Sequence, residues 1–259
     1  MIFDLHSDLL TSEMDDAQKK IVAKNISQTT KACVLAYWTT KTNDLPSFIR
    51  LSEINNLYFA VEDMNFFNYQ HAGALLSLKP LYCGLTWNYD NAIAGGAFGY
   101  SGITKWGKEV VRFLNNNDIA IDGAHLNTRS FYDVIEFSKK FLVSHTAILE
   151  LKRHKRNINK NQLIAIKQKG GIVGITPVNA FLKGQSIRDY VETIDFVLTQ
   201  IGEDFSAIGS DFYGTKDIPD WLKSYDSFEM VKYEMEKMGY KTETIDKIFY
   251  KNTAKFFMR

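Results

Sequence analysis

The sequence is poor in cysteine and proline. It contains two cysteines, Cys33 and Cys83, and no C-x-x-C pair, which excludes a disulfide framework. Both cysteines lie in apolar runs, so we expect them to be buried free thiols. The four prolines are scattered, and no low-complexity linker interrupts the 259 residues. A chain of this length can bury a full hydrophobic core.

Long apolar runs and an excess of charge of one sign are also absent. No run has the length of a membrane span. The first eight residues carry three ionisable side chains, which does not fit the apolar core of a signal peptide. The 31 basic and 30 acidic residues nearly cancel, so nothing indicates nucleic acid or an anionic membrane as a partner. We therefore expect a cytoplasmic protein with neither partner.

What the sequence does contain is a series of short apolar runs, most of them rich in β-branched or aromatic residues. The runs occupy residues 1–5, 32–37, 57–61, 81–86, 119–122, 141–144, 171–176 and 206–209. Each has the length of a β-strand. Their near-continuous apolar character is typical of strands buried on both faces of a parallel sheet.

Helical patterns fill most of the gaps between these runs. The clearest is 186–201, where apolar residues recur at helical spacing, Ser186 can cap the N-terminus and Gly202 follows the C-terminus. Further helices are predicted at 104–115, 129–139, 160–169, 227–238 and 243–257, and less clearly at 46–56 and 72–78.

Eight strands that alternate with helices predict an α/β fold with a parallel sheet. Eight such units suit a closed barrel, so we predict a single (β/α)8 TIM-like barrel domain over residues 1–259. The main rival is an open doubly wound sheet. It is disfavoured because no glycine-rich phosphate loop follows the first strand.

Ionisable side chains recur where the predicted strands end. Active sites of (β/α)8 barrels are built at that rim. On a strand, residues two apart point to the same side, so His6 and Asp8 can reach one ion together. Zinc-like metals favour such mixed nitrogen and oxygen ligands. The six candidate residues are His6, Asp8, Glu62, His125, His145 and Asp211.

Each of these residues also has an ordinary structural interpretation. A histidine at a strand end is more often hydrogen-bonded within the fold than bound to metal, and a carboxylate at such a junction often caps a helix. Six such groups on five predicted strands are harder to explain in this way. That these six residues lie at one rim, however, follows only if the chain forms the predicted barrel.

The order and spacing of these residues resemble the renal dipeptidase (membrane dipeptidase, peptidase M19) family, especially its soluble bacterial members. The similarity runs over nearly the whole chain. It includes FDLHSDLL at 3–10, AVED at 60–63, LTWNYDNAIAGG at 85–96, SGITKWGKEVVRFLN at 101–115, IDGAHLN at 121–127, VSHT at 143–146, KRNI at 155–158, GGIVGI at 170–175 and IGSDFYG at 208–214.

The resemblance implies a distorted (β/α)8 barrel with two zinc ions per chain and a metal-bridging hydroxide that hydrolyses dipeptides, including those with a D-residue at the C-terminus. It also implies a homodimer. The residue roles it implies are these: His6 and Asp8 bind one zinc, His125 and His145 bind the other, Glu62 bridges both, Asp211 is the acid/base, and Arg156 binds the free C-terminal carboxylate of a small peptide.

The sequence departs from the family at a few positions. Trp87 stands where the mammalian enzymes have a histidine that contacts substrate, Ala124 replaces a serine, and Tyr213 replaces an acid. We expect Trp87 to line the substrate pocket, with a plain core tryptophan as the alternative. The departures leave two other functions open. One is another binuclear metallohydrolase on the same barrel. The other is a catalytically weak descendant of the family that keeps the barrel to bind a ligand.

Overall fold

The computed structural model describes residues 1–38 and 54–258. Eight parallel strands form a closed barrel in chain order, which confirms the predicted fold and excludes the open sheet. The strands are β1 (Phe3–Ser7), β2 (Ala32–Tyr37), β3 (Leu57–Val61), β4 (Tyr82–Gly84), β5 (Ala120–Asp122), β6 (Phe141–Thr146), β7 (Ile172–Ile175) and β8 (Ser206–Ile208).

Helices connect the strands and surround the barrel. In the described ranges they are α1 (Asp16–Thr29), α2 (Ala72–Ser77), α3 (Lys105–Asn116), α4 (Thr128–Phe137), α5 (Lys160–Lys169), α6 (Ile187–Ile201), α7 (Phe228–Lys237), α8 (Thr242–Asp246) and α9 (Asn252–Phe257). A π-helical turn at Lys247–Lys251 joins α8 to α9. Ser186 caps α6 as predicted, and Gly202 ends it with a φ of +87°.

Helix α1 was not predicted. Its buried face contains only Lys19, Ala23 and Ile26, too few apolar residues for a clear helical pattern. A capping box between Asp15 and Gln18 begins the helix instead. The predicted helix at 46–56 lies mostly outside the described residues, and its last three residues, 54–56, are not helical.

The barrel interior is filled by one cluster of buried side chains with members from every strand, including Leu5, Val34, Tyr82 and Leu142. Residues of α9 join this cluster and cover the N-terminal end of the barrel. A second and larger cluster lies between the strands and the helices. Apolar packing therefore closes one end of the barrel, and the polar groups collect at the other.

Both thiols are fully buried and unpaired, as expected. Cys33 lies 3.4 Å from the Tyr225 hydroxyl and 3.9 Å from a carboxylate oxygen of Asp4. Among the helices of the described ranges, none combines the length and the apolar character that crossing a membrane requires.

Candidate active site

The structure brings the six predicted strand-end residues together at the C-terminal rim of the barrel. His6 belongs to β1 and His145 to β6, whereas the other four follow their strands directly or within three residues. All six are at least nine-tenths buried. The six are His6, Asp8, Glu62, His125, His145 and Asp211.

Glu62 lies at the centre of this group. Its Oε1 is 2.9 Å from Nε2 of His125 and 3.9 Å from Nε2 of both His6 and His145. Nε2 of His6 is 3.5 Å from Oδ1 of Asp8. Potential ligand atoms of the described residues form three overlapping sets, one of which joins His6 and His145 to Asp211, and the carboxylate of Glu62 belongs to the other two. The two sets that share Glu62 are His6, Asp8 and Glu62, and Glu62, His125 and His145.

The hydrogen bonds of the imidazoles determine which nitrogen faces the centre. The Tyr82 hydroxyl donates to the carbonyl of Leu5 at 2.8 Å, so it accepts from Nδ1 of His6 at 2.9 Å. In His125, Nδ1 donates to Oδ1 of Asn88 at 2.9 Å. Both Nδ1 atoms therefore carry a proton, and both Nε2 atoms face the site, where a cation would be bound by the unprotonated nitrogen.

His145 is oriented by the same principle through a serine. The Ser144 hydroxyl donates to Asp122 and accepts from Nδ1 of His145 at 2.8 Å. Metal-binding histidines usually donate their second nitrogen to an acceptor of this kind. The three Nε2 atoms accordingly face the centre of the site, where they can bind a cation, although Nε2 of His145 also accepts a hydrogen bond from Arg156 at 2.7 Å in this structure.

Two further contacts fit a bound cation. Nε2 of His6 and Oδ1 of Asp8 are buried, and the described residues offer neither a hydrogen-bond partner. The Nε2 atoms of His125 and His145 lie 3.0 Å apart. Unprotonated nitrogens at that distance repel each other; a bound cation would relieve this repulsion, to which the Arg156 guanidinium beside His145 already contributes. The nitrogen and carboxylate donors suit a zinc-type ion.

The carboxylates are crowded in a buried space. Burial, and then the charge of Asp8, raises the pKa of Asp211 to about 7 and that of Glu62 well above its usual value. Burial works against protonation of His6, yet the carboxylate of Asp8 raises its pKa to about 10. Such mutual repulsion among carboxylates is relieved by a divalent cation.

Asp211 and His125 are held in strained backbone conformations. Their φ angles are +59° and +67°, a region that residues other than glycine seldom adopt. The backbone N–H of Asp211 donates to the carbonyl of His6 at 3.1 Å. Strain of this kind concentrates at functional sites, where the surrounding structure compensates for it.

Arg156 is the buried member of the basic run at 152–156. Lys152, Arg153 and Lys155 are exposed and His154 is partly buried, as in an ordinary solvated loop. One guanidinium nitrogen of Arg156 lies 2.7 Å from Nε2 of His145. The arginine thus reaches the edge of the histidine cluster, where it can donate to a bound anion.

Trp87 contacts the histidine cluster through His125. Its ring is stacked on His125 with the ring centres 6.0 Å apart, and it packs against Trp38 at 5.0 Å. Both tryptophans line a cavity of about 1100 Å³ that reaches Asp8 and Glu62. Trp87 is therefore part of a pocket wall.

Several residues that shape the site were not singled out from the sequence. Asn88, Ser144 and Tyr82 orient histidines, and Trp38 lines the cavity. The sequence did contain one signal for the orienting serine, which is a carboxylate inside an otherwise apolar strand. Asp4 and Asp122 are both completely or almost completely buried and accept hydrogen bonds from serines that precede site residues.

Comparison with known proteins adds independent information. The family model of the membrane dipeptidases, peptidase family M19, matches residues 68–259. An uncharacterised Klebsiella pneumoniae protein from the pqqA 5′ region is 30% identical over 198 residues, which are 70% of this chain and 71% of that protein. Dipeptidase tcpJ of Claviceps purpurea is 26% identical over 60% of this chain, and the match spans only 38% of that enzyme.

Solved structures share the fold at low identity. A metallopeptidase from Rhodobacter sphaeroides, liganded with a phosphinate mimic of the dipeptide L-Ala-D-Ala, has a TM-score of 0.87 at 17% identity. The superposition covers 100% of this chain and 98% of the other. The M19 dipeptidase AC gives 0.88 at 18%, with the same coverage. The chain therefore belongs to the membrane dipeptidase family, peptidase family M19, and is a hydrolase of peptide bonds.

Proposed function

We propose that this protein is a zinc-dependent dipeptidase that hydrolyses short peptides with a free C-terminus, including peptides whose C-terminal residue has the D configuration. The observation that carries the proposal is the position of Glu62, whose Oε1 lies within 3.9 Å of three imidazole Nε2 atoms. The dipeptide mimic in the Rhodobacter sphaeroides metallopeptidase supports the substrate class.

The proposed metal ligands divide into two sets that share Glu62. His6 and Asp8 would hold one cation, and His125 and His145 the other. The bound cations would supply an activated water and an electrophile for the carbonyl oxygen of the substrate. Tyr82, Asn88 and Ser144 keep the three imidazoles in the tautomer that presents Nε2.

Asp211 is the proposed proton carrier. It is buried beside Asp8 at the rim of the ligand cluster, and a carboxyl group in that position can both accept and release a proton. Its role would be to hold the proton lost by the attacking water and to deliver it to the departing amine nitrogen.

Arg156 is the proposed ligand of the substrate's C-terminal carboxylate. A guanidinium binds a carboxylate through two parallel hydrogen bonds, which fixes both the position and the orientation of the peptide. A longer peptide carries its carboxylate farther from the scissile bond. This contact would therefore restrict the enzyme to short substrates.

The test is a hydrolysis assay with zinc-loaded protein on a panel of dipeptides, dipeptide amides, a cyclic imide and a nitrophenyl phosphodiester. We expect cleavage of the free dipeptides and loss of about 10²- to 10⁴-fold in kcat for Asp211→Asn, with two bound metals retained. Preference for the imide or the phosphodiester would favour another metallohydrolase. The absence of any turnover would favour a binding descendant.

A further inference from the structure

The cavity beside the metal-ligand cluster is large for a pocket that binds a small ligand. Its volume is about 1100 Å³, above the roughly 300–1,000 Å³ that is usual for pockets that bind small ligands. The carboxylates of Asp8 and Glu62 line it, so it is continuous with the candidate active site. Among the described residues, its apolar and aromatic lining side chains are those of Met14, Trp38, Trp87, Phe212, Tyr213, Ile218 and Tyr225.

The barrel places this cavity opposite the arginine. Trp38 follows β2, whereas Arg156 follows β6, and in a closed barrel of eight strands these two are four strands apart. Arg156 does not line the cavity. A peptide whose C-terminal carboxylate lies at Arg156 therefore extends across the rim with its N-terminal residue toward the tryptophans.

We propose that the cavity lined by Trp38 and Trp87 binds a bulky apolar or aromatic side chain of the N-terminal residue of the dipeptide. This inference rests on the proposed dipeptidase function and names its preferred substrates. Two indole rings with centres 5.0 Å apart form a broad apolar wall, on which an aromatic side chain packs well. An alanine side chain would leave most of this space filled with water.

Trp38 determines this preference more directly than Trp87 does. Its ring packs on Trp87, whereas Trp87 is stacked on the candidate ligand His125. The backbone N–H of Trp38 donates to Oγ1 of Thr11 at 3.0 Å, which holds the residue at the cavity independently of its side chain. Replacing the Trp38 ring therefore changes the wall and leaves the ligand cluster in contact with its own partners.

The experiment compares kcat/KM for Phe-Ala, Leu-Ala, Ala-Ala and Ala-Phe with zinc-loaded protein. We expect Phe-Ala to exceed Ala-Ala by at least about tenfold, since even one methylene in an apolar pocket is worth about that factor. Trp38→Ala should bring the ratio close to one, mainly through KM. Trp38→Phe should restore most of it. Ala-Phe should not gain over Ala-Ala.

A binding measurement separates this inference from the dipeptidase proposal. The probes are the phosphinate analogues of Phe-Ala and Ala-Ala, titrated calorimetrically into the zinc-loaded protein. Tighter binding of the Phe analogue without hydrolysis of any peptide would support the pocket and refute the dipeptidase function. Equal rates and equal affinities for the Phe and Ala compounds, an unchanged ratio in Trp38→Ala, or no binding of either analogue would overturn the inference.

Discussion

Asp122 and Ser144 form a fully buried hydrogen bond of 2.5 Å between Oδ2 and Oγ directly beneath the histidines of the site. The same serine accepts from Nδ1 of His145 at 2.8 Å. Asp4 and Ser210 repeat this arrangement with the same distance, and Ser210 precedes Asp211. A carboxylate inside a strand thus orients the serine that adjoins a candidate site residue in two places.

This pairing predicts the effect of removing the serine hydroxyl. In Ser144→Ala, Nδ1 of His145 loses its acceptor, so we expect zinc affinity to fall by about 10- to 100-fold. Competition with a chromogenic chelator measures the affinity. Ser206→Ala is the matched control, because Ser206 is a buried strand serine whose hydroxyl has no hydrogen-bond partner in the described chain. Equal zinc affinities for the two variants would contradict the assigned role.

Metal content gives a second prediction. Elemental analysis of protein purified without chelator should find two zinc-type ions per chain, and dialysis against a chelator should abolish activity and lower the melting temperature, because ligands that bind only the folded state stabilise it. His125→Ala should retain about one ion. His71→Ala, a histidine outside the cluster, should retain both. A wild-type protein without stoichiometric metal, and without rescue by added zinc, would refute the binuclear site.

The third prediction concerns recognition of the C-terminus. Arg156→Lys should raise KM for free dipeptides by about 10-fold or more, because an ammonium cannot make the two-pronged contact of a guanidinium. Rates with dipeptide amides, which lack the carboxylate, should change little. Arg153→Lys alters an exposed arginine of the same loop and serves as the control. An equal loss on acids and amides would indicate a structural role for Arg156.

A fourth prediction concerns Gly84, the last residue of β4. A Cβ at this position would lie 2.3 Å from the carbonyl oxygen of Glu62. Gly84→Ala must therefore displace the backbone beside Glu62, and we expect a loss of about 1–3 kcal/mol in the free energy of unfolding. Gly73→Ala, in helix α2 with open space around the glycine, should instead gain about 0.5–1 kcal/mol. Denaturant titration of both variants measures these changes in the free energy of unfolding.

The two thiols provide a fifth prediction. Burial raises the pKa of both Cys33 and Cys83, so little thiolate is present near neutral pH. We expect no reaction with an aromatic disulfide reagent in the native protein and two reactive thiols after unfolding. Rapid labelling of the native protein would show that at least one of these strands opens easily.

Much of the fold could be predicted from the sequence because strand patterns are local. The runs at 32–37 and 57–61 coincide with β2 and β3, since parallel strands that are buried on both faces are nearly continuously apolar; in β3 only Tyr58 is exposed. Helix α1 was not predicted because few apolar residues recur in it at helical spacing. Its start is marked by a capping box, not by an apolar pattern. The roles assigned to the site residues remain predictions until metal binding and kinetics are measured.

The sequence alone determined the residue types at the strand ends, and with them the candidate ligands His6, Asp8, Glu62, His125 and His145. Only the tertiary structure decided how those side chains are presented. Which imidazole nitrogen faces the site depends on hydrogen bonds to Tyr82, Asn88 and Ser144, which other segments of the chain supply. The pairing of Trp38 with Trp87 likewise requires the closed barrel, because residues 49 positions apart meet only when β2, β3 and β4 lie side by side.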